Sequence, residues 1–247
     1  MKSNRWQEWV VLSDIQIPYQ DPKALAAAVA FTKSVKPHGV VLNGDIVDCY
    51  AISDYDKDPT KALTHGLQKE VDGVQELLAD LKDANEKLWL LGNHEDRWRR
   101  LLWRIPGLAG VSNLTFDKVF APESYGFSIK PYGAFIELGH LMVTHGFIVR
   151  QKSAYSAQAH FQRLGTSVLV GHTHRLGAHY HTNRRGPHVA LENGCLCKLS
   201  AEYVQFPDWQ QGFTYVTVDT KDGSFLAQQI PILSDYTIIF GKEKYKV

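Results

Sequence analysis

Three apolar runs, WVVLS at 9–13, GVVLN at 39–43 and KLWLL at 87–91, alternate with two stretches patterned for helices. This alternation constrains the chain more than any other feature. The first helical stretch, 22–35, opens with Pro22 behind Asp21, a sound start signal because proline fits the first helical turn and aspartate caps it. The second, at about 61–85, repeats Leu63, Leu67, Val71, Val74, Leu77, Leu78 and Leu81 at spacings of three and four, which lays one apolar stripe along a helix. Strand, helix, strand, helix, strand is the pattern of βαβ units around a sheet.

The second half is patterned differently. Short alternating runs at 126–130, 133–138 and 140–144, divided by Gly or Pro, predict a β-meander, and a helix is expected at 153–164 before SVLVGH. Further strands are expected at 177–182, 187–191, 213–218 and 225–231, joined by turns such as Arg185-Gly186-Pro187 and Lys221-Asp222-Gly223. No linker, repeat or low-complexity tract divides these segments, so the reading is a single domain over 1–247 with two sheets and outer helices.

With 44% hydrophobic and 21% charged residues, the composition is that of a globular protein. A net charge of +1 provides no global field for nucleic acid or an anionic membrane. The apolar run near the N-terminus is too short for a signal peptide and no stretch reaches membrane-span length, so a cytoplasmic location is expected. Three cysteines do not make a disulfide framework. Cys195-x-Cys197 could bind a metal or form a strained redox pair, but two buried thiols on one strand face is the favoured reading.

Each buried run ends in polar residues of a particular kind. Asp14 and Gln16 follow the first, Asp45 and Asp48 the second, and Asn93 and His94 the third; His145 follows 141–144, and His172 and His174 follow 168–170. The carboxyl ends of strands in α/β sheets are where sites assemble. Singly, an Asp there is a turn or cap residue and a His beside Gly is a structural histidine; the ordered set of five is what carries weight.

The series Asp14-x-Gln16, Gly44-Asp45-x-x-Asp48, Gly92-Asn93-His94-Glu95, His145 and Gly171-His172-x-His174 resembles the calcineurin-like metallophosphoesterase superfamily, with all five blocks in the family's order. The tail from ENGCLC to PDWQQGF suggests its phage and bacterial branch. The resemblance implies an α/β fold, a four-layer αββα sandwich of two mixed β-sheets flanked by helices. It also implies two divalent metal ions. One would be held by Asp14, Gln16, Asp45 and His174, the other by Asp45, Asn93, His145 and His172, with Asp45 bridging.

Two ions sharing a carboxylate and a water can lower that water's pKa and clamp a phosphorus centre, so that a bridging hydroxide attacks in line. His94 is then placed to protonate the leaving alkoxide, and Asp48 to orient His94 or a ligand, although a turn or cap role suits Asp48 nearly as well. Glu95 and Asp96 read as the start of the next helix, where carboxylates suit the dipole. The family has Asp-x-His where this chain has Gln16. An amide oxygen suits manganese, magnesium or calcium better than zinc or iron, so Mn²⁺ is the favoured ion, with Mg²⁺, Fe²⁺, Zn²⁺ and Ni²⁺ as alternatives.

The substrate is expected to be a phosphate ester. RWRRLLWRIPG at 97–107, read as one helix, sets Arg97, Arg100 and Arg104 on one stripe, and Arg184 lies in a hairpin turn; Arg97, Arg100 and Arg184 are the candidate phosphate contacts, against the plainer reading of solvated arginines. A diester is favoured because His94 can serve a poor leaving group and no Gly-rich cradle for a phosphate dianion occurs. A DNA-processing nuclease, a phosphomonoesterase and a metal-bound interaction scaffold with a weakened site are the alternatives. Nucleic acid is not indicated by the net charge, no membrane partner is expected, and the oligomeric state is left open.

Overall fold

A computed structural model describes residues 5–54, 66–200 and 206–246. The first half folds as the alternation predicts: β1 (Trp6–Leu12), α1 (Pro22–Val35), β2 (Gly39–Asn43), α2 (Leu67–Asp80) and β3 (Glu86–Leu90). Residues 61–65 of the expected second helix lie outside the described residues. That helix also stops short of 85, because Lys87 Nζ turns back to bond the carbonyls of Lys82 and Ala84 at 2.7 and 2.6 Å.

The arginine-rich helix is shorter than expected as well. It runs as α3 (Asp96–Arg104), breaks at Ile105, and resumes as a single turn, α4 (Pro106–Ala109). Ile105 sits at φ −125°, ψ 74°, out of the helical region that a following proline disfavours. A further short helix, α5 (Phe116–Phe120), leads to β4 (Ser128–Lys130), and β5 (Ile136–Leu138), β6 (Leu141–Thr144), α6 (Tyr155–Leu164), β7 (Val168–Val170), β8 (Leu176–Asn183), β9 (Gly186–Asn193), β10 (Gly212–Asp219) and β11 (Phe225–Pro231) follow. A small hairpin, β12 (Ile238–Phe240) and β13 (Glu243–Tyr245), was not anticipated from the sequence.

The first sheet has the order β11-β10-β1-β2-β3-β4, with β1 to β4 parallel and β10 and β11 antiparallel additions. The second has the order β5-β6-β7-β9-β8, with β6, β7 and β9 parallel between two antiparallel edge strands. The expected meander is therefore corrected. β4 leaves β5 and β6 and pairs in parallel with β3, because Phe127 just before it is buried in the core beneath the helices.

Strand periodicity assigns the layers. Val10, Leu12, Val40, Leu42 and Trp89 face α1 and α2, while Trp9, Val11, Val41 and Leu90 face Val143, Leu169 and Leu191 of the other sheet. On the far side of the second sheet, Val168, Val170 and Ala190 pack against Ala157 and Phe161 of α6. The result is helices, sheet, sheet, helix: the αββα sandwich.

Asp21 caps α1 as its sequence suggested, accepting from Lys23 and Ala24 N–H at 3.0 and 3.1 Å, and it also accepts from Gln211 and the Tyr236 hydroxyl. Burial pushes its carboxyl up, but these four donors together hold it below its ordinary value. Replacing Asp21 with Ala is expected to cost about 1–2 kcal/mol in urea unfolding. The loss should be full above the ordinary carboxylate pKa and should vanish as pH falls through the depressed one.

Candidate metal centre

The parallel strands of both sheets end on one edge of the sandwich. β1, β2 and β3 deliver Asp14, Asp45 and Asn93-His94; β6 and β7 deliver His145 and His172-x-His174. The two sheets are tied together directly beneath. Asn43, at the end of β2, donates to the Thr144 carbonyl of β6 at 3.0 Å, and Asn193, at the end of β9, donates to the Val11 carbonyl of β1 at 3.1 Å. Both asparagines precede glycine after an apolar run, a repeated Asn-Gly that was readable in the sequence.

The loops are sharply bent. Asp14, Gln16, Asp45, His172 and His174 all adopt left-handed backbone, with φ between 51° and 69°. Each such residue costs on the order of 1–3 kcal/mol and persists only where its surroundings dictate it. Those surroundings are visible. Glu95, almost wholly buried, accepts from the amides of Asp45, Ile46, Val47 and Gly92 at 2.7–3.2 Å, joining the loop after β2 to the loop after β3. The Asp14 carbonyl accepts from Leu196 and Cys197 N–H, both at 3.1 Å. Gly92 and Gly171 let backbone approach the carboxylates: a Cβ at Gly92 would sit on Asp45 Oδ1, and one at Gly171 would lie 2.7 Å from Asp14 Oδ2.

Donor atoms gather accordingly. One atom each from Asp14, Asp45 and His174 lie within 4.8 Å of one another, and the same holds for Asp45, His145 and His172, so Asp45 belongs to both groups. His174 Nε2 is 3.3 Å from Asp14 Oδ1, and His145 Nε2 is 3.3 Å from Asp45 Oδ1 and 3.2 Å from Asn93 Oδ1. His145 donates Nδ1–H to the Asn43 carbonyl at 2.8 Å, which turns its Nε2 into the pocket. The Gln16 amide reaches in too, with Nε2 3.4 Å from Asp45 Oδ2 and 3.3 Å from His174 Nε2.

The electrostatics are those of a pocket that calls for positive charge. Burial pulls His145 down, but Asp45 and Asp14 outweigh it and push the imidazole up to about 10. Burial likewise opposes, and Cys197 and Asp14 overcome it, to raise His174 well above its ordinary value. Asp45 is held below the carboxylate range by His145 and His94 in spite of burial. Here protons on the histidines balance carboxylates that burial would otherwise leave uncompensated. Gln16 Oε1 and His172 Nδ1 are buried with no hydrogen-bond partner among the described residues. Oxygen and imidazole donors around two carboxylates, one of them shared, fit divalent cations, so the residues present suit the metals the sequence implies.

His94 stands beside this group. Its Nδ1 donates to the Asp48 carbonyl at 3.1 Å and lies 3.2 Å from Asp48 Oδ2, while Nε2 lies 3.7 Å from Asp45 Oδ2. Burial lowers its pKa, yet Asp45 and Asp48 raise it further, so the net shift is upward. Arg97 packs on the same pair, donating to the Asp48 carbonyl at 2.7 Å and lying 3.2 Å from His94 Nε2. The other candidate phosphate contacts are not gathered in this way. Arg100 is bound to Asp96 at 2.9 Å, and Arg184 lies in the turn just beyond β8, a strand that spans roughly 23 Å from Leu176 to Asn183 at 3.3 Å per residue.

Several supporting residues escaped sequence reading. Glu95 starts a helix as expected, but its carboxylate serves a different loop, and nothing local signals that. His160 of α6 donates Nδ1–H to the Ser156 carbonyl and so turns Nε2 to accept from Phe147 and Ile148 N–H, holding the segment after His145. Glu192 of β9 caps α6 by accepting from Ala154, Ser156 and Ala157 N–H.

Residues 9–189 match the family model described as calcineurin-like phosphoesterase. The chain belongs to the calcineurin-like phosphoesterase family. The Gene 54 protein of Mycobacterium phage D29 is 32% identical over 226 residues, covering 85% of this chain and 88% of that one. The Gene 54 protein of Mycobacterium phage L5 is 31% identical over 227 residues, with the same coverage. Among solved structures, a Vps29 mutant from Entamoeba histolytica aligns over 97% of this chain and 99% of that one, at 11% identity and a TM-score of 0.47. Family membership and the grouped donors make this chain a metal-dependent phosphoesterase.

Since Asp48 helps to raise the His94 pKa, Asp48→Asn should lower it. The alkaline limb of the pH–kcat profile for a phosphate ester would then move to lower pH, with far-UV circular dichroism unchanged. An unmoved limb would contradict the expectation that His94 is a proton donor.

Proposed function

We propose that this phosphoesterase is a dinuclear, Mn²⁺-preferring phosphodiesterase acting in the cytoplasm. The observation that carries the reading is that Asp45 belongs to two donor groups at once, Asp14–Asp45–His174 and Asp45–His145–His172. A carboxylate shared between two sets of donors is the arrangement that supports a pair of ions about 3.5–4 Å apart. Asp14, Gln16, Asp45 and His174 would hold one ion, and Asp45, Asn93, His145 and His172 the other. When bound, such ions supply a shared water of lowered pKa and neutralise charge on the phosphoryl oxygens.

The chain's own groups would do the rest. His94, held through Nδ1 by Asp48, turns Nε2 toward the pocket, and its raised pKa favours the protonated form needed to deliver a proton to a departing alkoxide. Arg97 lies against that same nitrogen. An incoming phosphoryl oxygen offers the guanidinium a bidentate partner and would draw it off Nε2. A diester suits this arrangement because an alkoxide is a poor leaving group that needs a proton. Arg97 is then a substrate contact, whereas Arg100 and Arg184 are engaged or carried away as described.

Gln16 deepens the preference for manganese. Rotating its amide by half a turn exchanges Nε2 for Oε1, the buried oxygen without a partner, and would present a neutral oxygen to the ion. Hydrolysis of bis(p-nitrophenyl) phosphate by metal-free protein reloaded with Mn²⁺ tests the proposal. Turnover is expected, with kcat about 10²–10⁴-fold lower in His94→Ala and with metal retention lost in Asp45→Ala. Gln16→His should shift the best-supporting ion from Mn²⁺ toward Zn²⁺ or Fe²⁺. No turnover with any divalent ion would favour the interaction scaffold, and faster hydrolysis of a monoester would overturn the diester preference.

A further inference from the structure

The ring of His174 separates two chemically different donor sets. On its Nε2 side are Asp14 Oδ1 and the Gln16 amide, both at 3.3 Å; on its Nδ1 side is Cys197 Sγ at 3.6 Å. Cys195 and Cys197 continue from the end of β9, whose parallel course alongside β7 brings it to the same edge of the sandwich. Both cysteines are reduced and buried, and one donor atom each from His174, Cys195 and Cys197 lie within 4.8 Å of one another. The backbone beneath is fixed, since Cys195 N–H donates to the Gln210 carbonyl and Cys197 N–H to the Asp14 carbonyl, both at 3.1 Å.

The dimensions match a metal triad. A tetrahedral ion with bonds of about 2.3 Å to sulfur and 2.0–2.1 Å to nitrogen spans an S···N edge of about 3.6 Å. That is the separation of Cys197 Sγ and His174 Nδ1. Thiolates and imidazole select zinc-class ions, whereas the oxygen-rich set on the other face suits manganese. A neutral imidazole has one free lone pair, so His174 serves one face at a time.

We propose that His174, Cys195 and Cys197 form a soft-metal site, distinct from the oxygen-rich pocket, which takes a thiophilic divalent ion of the zinc class and withdraws His174 from that pocket. Binding releases two protons to solvent, one from the Cys195 thiol and one held between Cys197 and His174, as two metal–sulfur bonds and one metal–nitrogen bond form. The triad stands without the hydrolytic reading; only the withdrawal of His174 rests on it. Zinc-class ions would then oppose an activity that manganese supports.

Titration of the reduced, metal-free full chain with Co²⁺ tests this by the near-ultraviolet sulfur-to-cobalt charge-transfer band. The band should grow to one equivalent, persist in Asp45→Asn and in Cys49→Ser, vanish in the Cys195→Ser/Cys197→Ser double variant, and be bleached by Zn²⁺. Bound cobalt with no such band, or a band that survives the double variant, overturns the site. Hydrolysis retained in the absence of the band would leave the phosphodiesterase reading standing. If the double variant does not fold, ¹¹³Cd NMR of the wild type decides: a downfield thiolate resonance supports the triad, and oxygen-ligand resonances alone refute it.

Discussion

The buried carboxylate of Asp45 is the constraint around which the strand ends are arranged. Its oxygens face His94 N–H, His145 and the Gln16 amide, its own N–H is held by Glu95, and its carbonyl accepts from Gln16 N–H. Loops from β1, β2, β3 and β6 therefore meet on one residue. That residue is itself held in left-handed backbone. A buried anion in a strained conformation is unfavourable without compensation, and here the compensation comes from both sheets. The sandwich and the site are thus one problem: the asparagine ties at 43 and 193 hold the sheets in register, and the register sets the distances among the donors.

Charge divides the molecule's two functional demands. The pocket concentrates carboxylates and balances them with histidines whose shifts, up for His145 and His174, record the deficit a cation would fill. The flank formed by α3 does the opposite. Its arginines are mostly neutralised locally, Arg99 and Arg100 by Asp96 and Arg104 by Asp54. Arg97 alone among the α3 arginines is tied to the His94–Asp48 pair. The helix whose arginines the sequence offered as phosphate contacts, against the favoured plainer reading of solvated side chains, therefore brings chiefly one of them to His94, Arg97, one turn after it.

Much of this was legible because strand ends advertise themselves. An apolar run followed by Asp, Asn or His is a local pattern, and five such patterns in order located the donors without any knowledge of pairing. The cap at Asp21 and the stripe on α2 were equally local. What could not be read was long-range order: β4 crossing to the first sheet, β9 lying between β7 and β8, and Glu95 serving amides some fifty positions earlier in the chain. The cysteines show the same limit. Their burial was foreseen from composition, but their approach to His174 depends on β9 running parallel to β7, and no spacing in the sequence encodes that.

The claim on which everything else rests is that one carboxylate serves two cations. Anomalous diffraction from crystals soaked in Mn²⁺ and collected on either side of the manganese edge tests it most directly. The account predicts two peaks flanking Asp45, one beside Asp14 and His174 and the other beside His145 and His172. A single peak, or two that do not share Asp45, would contradict it.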